Sequence, residues 1–297
     1  MHSAYDATGE QVAWDSTSLN RFVACPRLYY YSNILGWKPK SESIHLTFGA
    51  LLHSAREFFD RCMAKGDSYS EALRQSVHEL MVKSADFKSL DKYKNRETLL
   101  RTFVWYLEQY KNNGIKTIHL ANGAPAVELS FRFELNSTTL LCGHLDKLVL
   151  FNDEVWVADL KTTKQAISNE YAAQYNPGIQ MPLYTLAGQV VYSSPAKGVL
   201  IDAAQILIGG TRFHRFTLPY TKEWLTEWMQ MIEHKIALAH QYFQSDYWPM
   251  NPTACHKFGG CQFRGVCSRT PAVRQMFLEA DFEINKWDPL QTREVEE

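Results

Sequence analysis

Asp146, Asp159 and Lys161 fall within one stretch, 143–164, which reads GHLDKLVLFNDEVWVADLKTTK. Carboxylates close together hold a hard divalent cation, and an ammonium beside them stabilises charge developing on a phosphate. The surrounding pattern supports such a site. Residues 145–151 alternate, 155–161 are nearly all apolar until a charged end, and Asn152-Asp153 is a polar turn between them. That is a β-hairpin signature. Residues two apart on a strand face one side, so Asp159 and Lys161 share a face. A charge at a strand end is ordinarily a solvated edge. Asp146 lies inside its strand, where an ionised group is costly unless paired or bound to metal.

The elements that must position these residues are legible on either side. Residues 1–15 read as poorly structured. Asp15-Ser16-Thr17 caps a helix running toward Leu35 and interrupted at Pro26. Tyr29, Tyr30 and Tyr31 read as core aromatics, with base stacking as the other use. Residues 37–43 read as a loop. A helix opening at Thr47 presents Leu51, Leu52, Ala55, Phe58 and Phe59 on one face. His53 lies beside that face, as a hydrogen-bonded structural residue or a ligand. Further helices are expected near 69–84 and 93–113. Lys88, Lys92, Lys94 and Arg96 form a solvated face or touch a nucleic-acid backbone.

From Ala126 the period becomes that of strands, over 127–133 and, after a turn at Asn136, over 138–150. Glu128, taken by itself, reads as a solvated strand residue. A helix over about 172–192 is complicated by Pro177 and Pro182. Strands over 196–208 and 212–218 follow. A long helix from Thr221 to about Phe243 turns Trp224, Trp228, Ile232 and Leu238 inward. The tail beyond Met276 is acidic and expected to fray.

Composition sets the outer bounds. The 297 residues are 45% apolar and 21% charged, an ordinary globular balance that can bury a sizeable core. The net charge of −1 excludes a polycation, so a nucleic-acid site must be a local patch. No apolar run is long enough to span a membrane. The N-terminal stretch MHSAYDATGEQVAWDST lacks a basic-then-apolar signal pattern. A cytoplasmic location without structural disulfides is therefore expected, and the six cysteines point to metal binding or burial.

In this order the motifs resemble the PD-(D/E)XK nuclease superfamily, in its RecB-like branch. Gly143-His144-Leu145-Asp146 resembles the Gly-x-x-Asp strand of that branch, with Leu145 in place of proline, and Asp159-Leu160-Lys161 resembles its Asp-x-Lys. Gly49-Ala50-Leu51-Leu52-His53 resembles a Gly-x-x-x-His helix that supplies a metal-binding histidine. Gln180-Met181-Pro182-Leu183-Tyr184 resembles the Gln-x-x-x-Tyr motif, whose two ends share a helix face and can point at one substrate. The resemblance implies a restriction-endonuclease-like α/β core, a mixed sheet flanked by helices, within a single nuclease domain over 1–297. Its parts would be a helical N-terminal part (16–115), a catalytic sheet core (125–220), and a C-terminal helix and cysteine clip (221–275).

The same resemblance implies Mg²⁺ or Mn²⁺ held by His53, Asp146, Asp159 and the Leu160 carbonyl, with Glu128 as a further acidic group. Lys161 would act on the attacking water or the phosphate oxygens, and Gln180 and Tyr184 would position the scissile strand. The implied substrate is DNA, as single strands or ends, cut exonucleolytically in recombination, repair, or phage or CRISPR DNA processing. Protein partners in a recombination or replication complex are implied with it.

Cys255, Cys261 and Cys267 are each separated by five residues, and Gly259, Gly260 and Gly265 allow the tight turns that wrap a metal centre. Three thiolates leave a fourth position open. In the iron–sulfur members of the RecB-like branch, such as AddB nuclease domains and CRISPR adaptation nucleases, that ligand lies far upstream and precedes Pro-Arg. Cys25-Pro26-Arg27 resembles it, which implies a 4Fe–4S cluster held by Cys25, Cys255, Cys261 and Cys267. Those relatives often carry a Cys-x-x-Cys pair that is replaced here by the wider spacing. Four thiolates also suit zinc. Cys62 and Cys142 read as small buried residues. A rival reading makes the chain a non-catalytic DNA-binding subunit with a structural cluster, and intact Asp146, Asp159 and Lys161 argue against it. An iron–sulfur redox protein would gain nothing from Asp-x-Lys.

Overall fold

The computed structural model describes residues 3–41, 43–256 and 260–291. In chain order its main elements begin with β1 (Ala13–Trp14), α1 (Ser16–Ala24), α2 (Pro26–Tyr29) and β2 (Trp37–Pro39). There follow α3 (Ile44–Ala64), α4 (Tyr69–Lys83), α5 (Arg96–Tyr110), β3 (Lys116–Thr117), β4 (Val127–Asn136), β5 (Thr139–Phe151) and β6 (Glu154–Thr163). The chain continues through α6 (Asn169–Ala173), α7 (Gln180–Tyr192), β7 (Ala196–Ile206), β8 (Thr211–Pro219) and α8 (Lys222–Gln244). It closes with α9 (Arg264–Cys267), α10 (Arg274–Asp281) and β9 (Phe282–Ile284). The fold is mixed α/β, a central mixed sheet flanked by helices. It divides into two compact units, one drawn from Met1–Ser41, Arg132–Gly143 and Glu223–Glu297, the other from Glu42–Phe131 and His144–Lys222. Among the described residues, no helix is long and apolar enough to cross a membrane.

The second of these units holds the part of β5 from His144 onward with β6, β7 and β8 side by side, and β3 pairs β5 there at Val149 and Leu150. β5 and β6 form the expected hairpin, antiparallel from Lys147↔Ala158 to Phe151↔Glu154. Asn152 and Asp153 both have positive φ, 51° and 59°, the left-handed pair that matches strand twist in a two-residue turn. β6 and β7 are parallel, so a crossover must join them, and α6 and α7 provide it. The single helix expected over 172–192 is thus two, and Pro182 sits in the first turn of α7, where its missing N–H has no helical partner to lose. α3, α4 and α5 pack Phe48, Leu52, Leu80, Leu99 and Phe103 against Leu160, Ala204 and Ile206 of the sheet. α7 lies close on β6 because residue 188 is glycine. A Cβ there would come within 2.9 Å of Val157 Cγ2 and 3.3 Å of Ala196 Cβ. Any larger residue would lift the helix that carries Gln180 and Tyr184.

The other unit corrects three expectations. Residues 1–15 are not unstructured throughout: β1 pairs in parallel with Leu140 and Leu141, and Ala13 and Trp14 are buried. Residues 37–43 are not simply a loop, because β2 pairs antiparallel with β9. The tail is likewise ordered past Met276, with Leu278 and Phe282 packed against Trp37 and Phe263. Residues 292–297 lie outside the described residues. Strands of two or three residues paired with partners far away in sequence leave no local period to read. Tyr29 and Tyr31 are core residues, and Tyr29 stacks on Trp14 at 5.0 Å between ring centroids. α8 buries Leu225, Trp228, Ile232, Ile236 and Ala239. Trp224 and Leu238 flank that stripe instead of lying on it. Cys62 and Cys142, one in each unit, are buried as expected.

Candidate active site

Asp146 lies one residue before the first β5–β6 pair, where the strands part. α3 brings His53 to it, with Nδ1 3.0 Å from Asp146 Oδ2. The other ring nitrogen, Nε2, lies 2.9 Å from the Leu160 carbonyl oxygen. The Leu160 N–H donates to the same Asp146 oxygen at 3.1 Å. Both partners of the imidazole accept, which favours hydrogen on both ring nitrogens and a cationic ring when no metal is bound. Burial opposes that charge, but Asp146 outweighs burial and raises the His53 pKa above its ordinary value. Burial also works against the Asp146 carboxylate, and His53, followed by Arg56 and Lys161, overcomes it and holds that carboxyl well below the usual range.

Glu128 joins this group. Its side chain is buried, and its Oε1 lies 4.0 Å from His53 Nδ1. The backbone at Glu128 has a φ of 47°. For a residue with a Cβ that region costs about 1–2 kcal/mol, strain of the kind that collects at functional sites. The sequence by itself left Glu128 nearly as readily a solvated residue, and the positive φ has no local signature. Ligand atoms of His53, Glu128 and Asp146 all lie within 4.8 Å of one another. Two carboxylates and one imidazole form a donor set that fits Mg²⁺ or Mn²⁺, and the expected Leu160 carbonyl meets the imidazole at its other ring nitrogen.

Asp159 stands apart from that group, although it was expected among the ligands. It is 1% exposed and is paired with Lys161. Lys161 Nζ donates to Oδ1 at 3.0 Å and lies 2.8 Å from Oδ2 without hydrogen-bond alignment. Burial raises the Asp159 pKa, and Lys161 offsets this only in part. Burial would lower the Lys161 pKa, but Asp159, with Tyr184 and Asp146 behind it, raises it instead. On α7, Gln180 Nε2 donates to the Tyr184 hydroxyl at 2.9 Å, as their spacing of four requires. Burial, followed by Asp159, raises the Tyr184 pKa, so this phenol keeps its proton.

Residues 14–268 match the sequence profile of the PD-(D/E)XK nuclease superfamily. The chain belongs to this superfamily. A crystal structure from Eubacterium rectale, described as "Putative exonuclease", matches with a TM-score of 0.52 and 12% identity over 82% of this chain and 85% of its own. At that identity the likeness shows the fold alone. No curated protein matches.

One buried cation of this PD-(D/E)XK protein was misread as part of a solvated face. Lys88 and Lys92 are exposed as expected, and Arg96 donates to the Met81 carbonyl at 2.9 Å. Lys94 is 5% exposed. Its Nζ donates to Thr162 Oγ1, one residue beyond Lys161, at 2.9 Å and stands 5.3 Å from the Phe48 ring. Burial, followed by Lys164, pulls its pKa down to about 8. Tyr171 and Tyr175, absent from the motifs, share a hydroxyl–hydroxyl hydrogen bond of 2.9 Å and lie near enough to feel Asp159.

The four cysteines of the expected cluster line one cavity of about 310 Å³. Cys25 is buried and the other three are half-buried. Pro26 opens α2 directly after Cys25, where proline suits a first helical position. The Asn251 N–H donates to Cys25 Sγ at 3.2 Å, and Asn251 Nδ2 donates to the Ala24 carbonyl at 2.8 Å. Gly260 has a φ of 106°, and Cys261 N donates to the Cys255 carbonyl at 3.0 Å, closing the turn between them. Gly265 lies inside α9 and not in a turn, and Gly259 lies outside the described residues. Burial pushes the Cys267 thiol up to about 11, against Arg27, and raises Cys261 as well. Metal uptake by such thiols releases protons. The residues therefore fit a thiolate-bound centre. Among the described residues, no three of the sulfurs lie within 4.8 Å of one another.

Proposed function

We propose that this protein is a metal-dependent deoxyribonuclease acting on single-stranded DNA or DNA ends. The observation that carries this reading is the His53–Glu128–Asp146 group with the Leu160 carbonyl, beside the buried Asp159–Lys161 pair. A divalent ion bound there lowers the pKa of a water and neutralises charge on a phosphodiester. The chain's own residues do the rest. Asp146 stays ionised across the neutral range because His53 stands against it. Lys161 keeps its proton and is pinned by Asp159, so it acts as a fixed donor to oxygens that gain charge, not as a base. Tyr184 and Gln180, joined to each other, offer a phenol donor and an amide to position the strand.

The cysteine cavity holds, on this proposal, a 4Fe–4S cluster that ties the N-terminal segment to the C-terminal one. What supports this reading is that all four cysteines line one cavity, with Cys25 directly before Pro26-Arg27. Labelled DNA tests the nuclease reading. With Mn²⁺ the protein should release mononucleotides from single strands carrying a label at one end, and EDTA should stop it. Intact DNA at every metal concentration, with DNA still bound, would make it a binding subunit instead.

A further inference from the structure

A second polar site lies in the unit that carries the candidate active site. Asp146 meets His53, and the next residue, Lys147, meets Asp60 seven residues further along α3. There a cavity of about 220 Å³ is lined by Arg56, Asp60, Lys111, Lys147, Asp202 and Arg215, with Tyr106 among them. Its charges do not cancel. Asp202 accepts from the Tyr106 hydroxyl at 2.6 Å and from Arg215, whose Nη2 lies 3.1 Å away. Lys147 Nζ donates to Asp60 Oδ1 at 2.7 Å. Both carboxylates are thus engaged, while Arg56 and Lys111 remain. Lys111 is exposed, 4.2 Å from the Tyr69 ring centroid. Arg56 is 5% exposed, and neither Nη1 nor Nη2 has a hydrogen-bond partner. Asp60 Oδ2, also buried, has none either.

A buried guanidinium with both terminal nitrogens unbonded is costly. Burial opposes its charge, and Tyr106, Asp146, Asp202 and Asp60 favour it, but none of them accepts from its terminal nitrogens. A small oxyanion can, because the guanidinium fork matches two of its oxygens. Asp60 Oδ2 narrows the choice, since a carboxylate oxygen can only accept and its partner must bring a hydrogen. Phosphate at neutral pH carries an O–H. Sulfate and a phosphodiester do not. The cavity is larger than the ~10–15 Å³ a single water needs. It is smaller than the roughly 300–1,000 Å³ of pockets that take drug-sized ligands, which disfavours a whole nucleotide. We propose that this cavity binds inorganic phosphate, its oxygens accepting from Arg56 and its O–H donating to Asp60 Oδ2.

Calorimetric titration and thermal unfolding of the whole chain in EDTA test this without reference to DNA cleavage. Phosphate, sulfate and a 5′-mononucleotide are compared at matched ionic strength. Phosphate should bind one site per chain and raise Tm. Sulfate should bind about tenfold more weakly or worse, the cost of setting an acceptor against a buried acceptor. Arg56→Met should remove the phosphate response. Asp60→Asn, whose amide can donate, should let sulfate bind about as well as phosphate. Equal responses of the wild type to phosphate and sulfate, or none to either, overturn the proposal, as does an undiminished response in Arg56→Met. A mononucleotide that binds more tightly than phosphate overturns the assignment to the free ion. If Arg56→Met does not fold, the wild-type phosphate-to-sulfate ratio decides alone.

Discussion

Lys161→Met isolates the buried Asp159 carboxylate. Lys161 Nζ sits 3.0 and 2.8 Å from its two oxygens, and Asp159 is 1% exposed. Without that ammonium the metal-free protein has two ways to fold. It can keep an uncompensated buried charge, at a cost of about 3–5 kcal/mol. It can instead protonate the carboxyl, which for an ordinary Asp at pH 7 costs about 4.2 kcal/mol. The two agree, so the loss at pH 7 should approach 4 kcal/mol, ~4 being the ceiling that protonation sets. That ceiling falls to about 1.5 kcal/mol at pH 5. The sign follows from linkage. A carboxyl whose folded pKa is raised binds its proton in the folded state first, so the variant's stability is fullest below the unfolded pKa and is lost as pH rises. Burial already raises Asp159 in the wild type, so the measured difference should fall somewhat short of the ceiling. Urea unfolding in EDTA at the two pH values measures it. Equal losses at both, or none at pH 7, would refute the reasoning.

The remaining predictions concern the metal, the cluster and a second buried cation. Asp146→Ala should abolish cleavage with its fold intact by circular dichroism, whereas Lys161→Met should still bind metal and lose about 10²–10³ in rate. Because Asp146 raises the His53 pKa, a metal must displace a proton there. Mn²⁺ affinity should climb up to about tenfold per pH unit below that pKa and level off above it, and a flat titration would contradict the cationic ring. Cys25→Ser should lose the brown colour expected of the anaerobically purified protein. Its stability loss should stay below the about 5.5 kcal/mol of a covalent crosslink that long, an upper figure for a clip made through metal; unchanged iron content would contradict the ligand set. Lys94 is penalised while charged in the folded state, a penalty complete below its folded pKa of about 8 and lost as pH rises toward the unfolded value. Lys94→Met should therefore raise stability at pH 7 by up to about 3 kcal/mol, and a drop in Tm would contradict this.

The hairpin around Asp146 and Lys161 was readable because its period and its Asn-Asp turn are local. His53 could be placed beside the sheet only through its motif, since nothing within α3 tells that its ring reaches the Leu160 carbonyl. Glu128 needed the backbone, because a positive φ inside a strand leaves no trace in residue type. Lys94 was misassigned for a related reason: a lysine in a charged stretch reads as solvated, and its burial depends on Thr162, remote in sequence. The β2–β9 pair failed similarly, as three-residue strands carry too little period to register. Asp159 was placed on the correct strand and face, but its pairing with Lys161, apart from the three-ligand group, required coordinates.

The central claim is that one constellation on α3, β4, β5 and β6 hydrolyses DNA with a divalent metal. A time course on single-stranded DNA labelled at the 5′ or the 3′ end tests it most directly, run with wild type and Asp146→Ala in Mn²⁺ and in EDTA. The account predicts mononucleotide release by the wild type in Mn²⁺ alone, and none by the variant under either condition. Cleavage that persists in EDTA, or an Asp146→Ala protein that cuts at the wild-type rate, would contradict it.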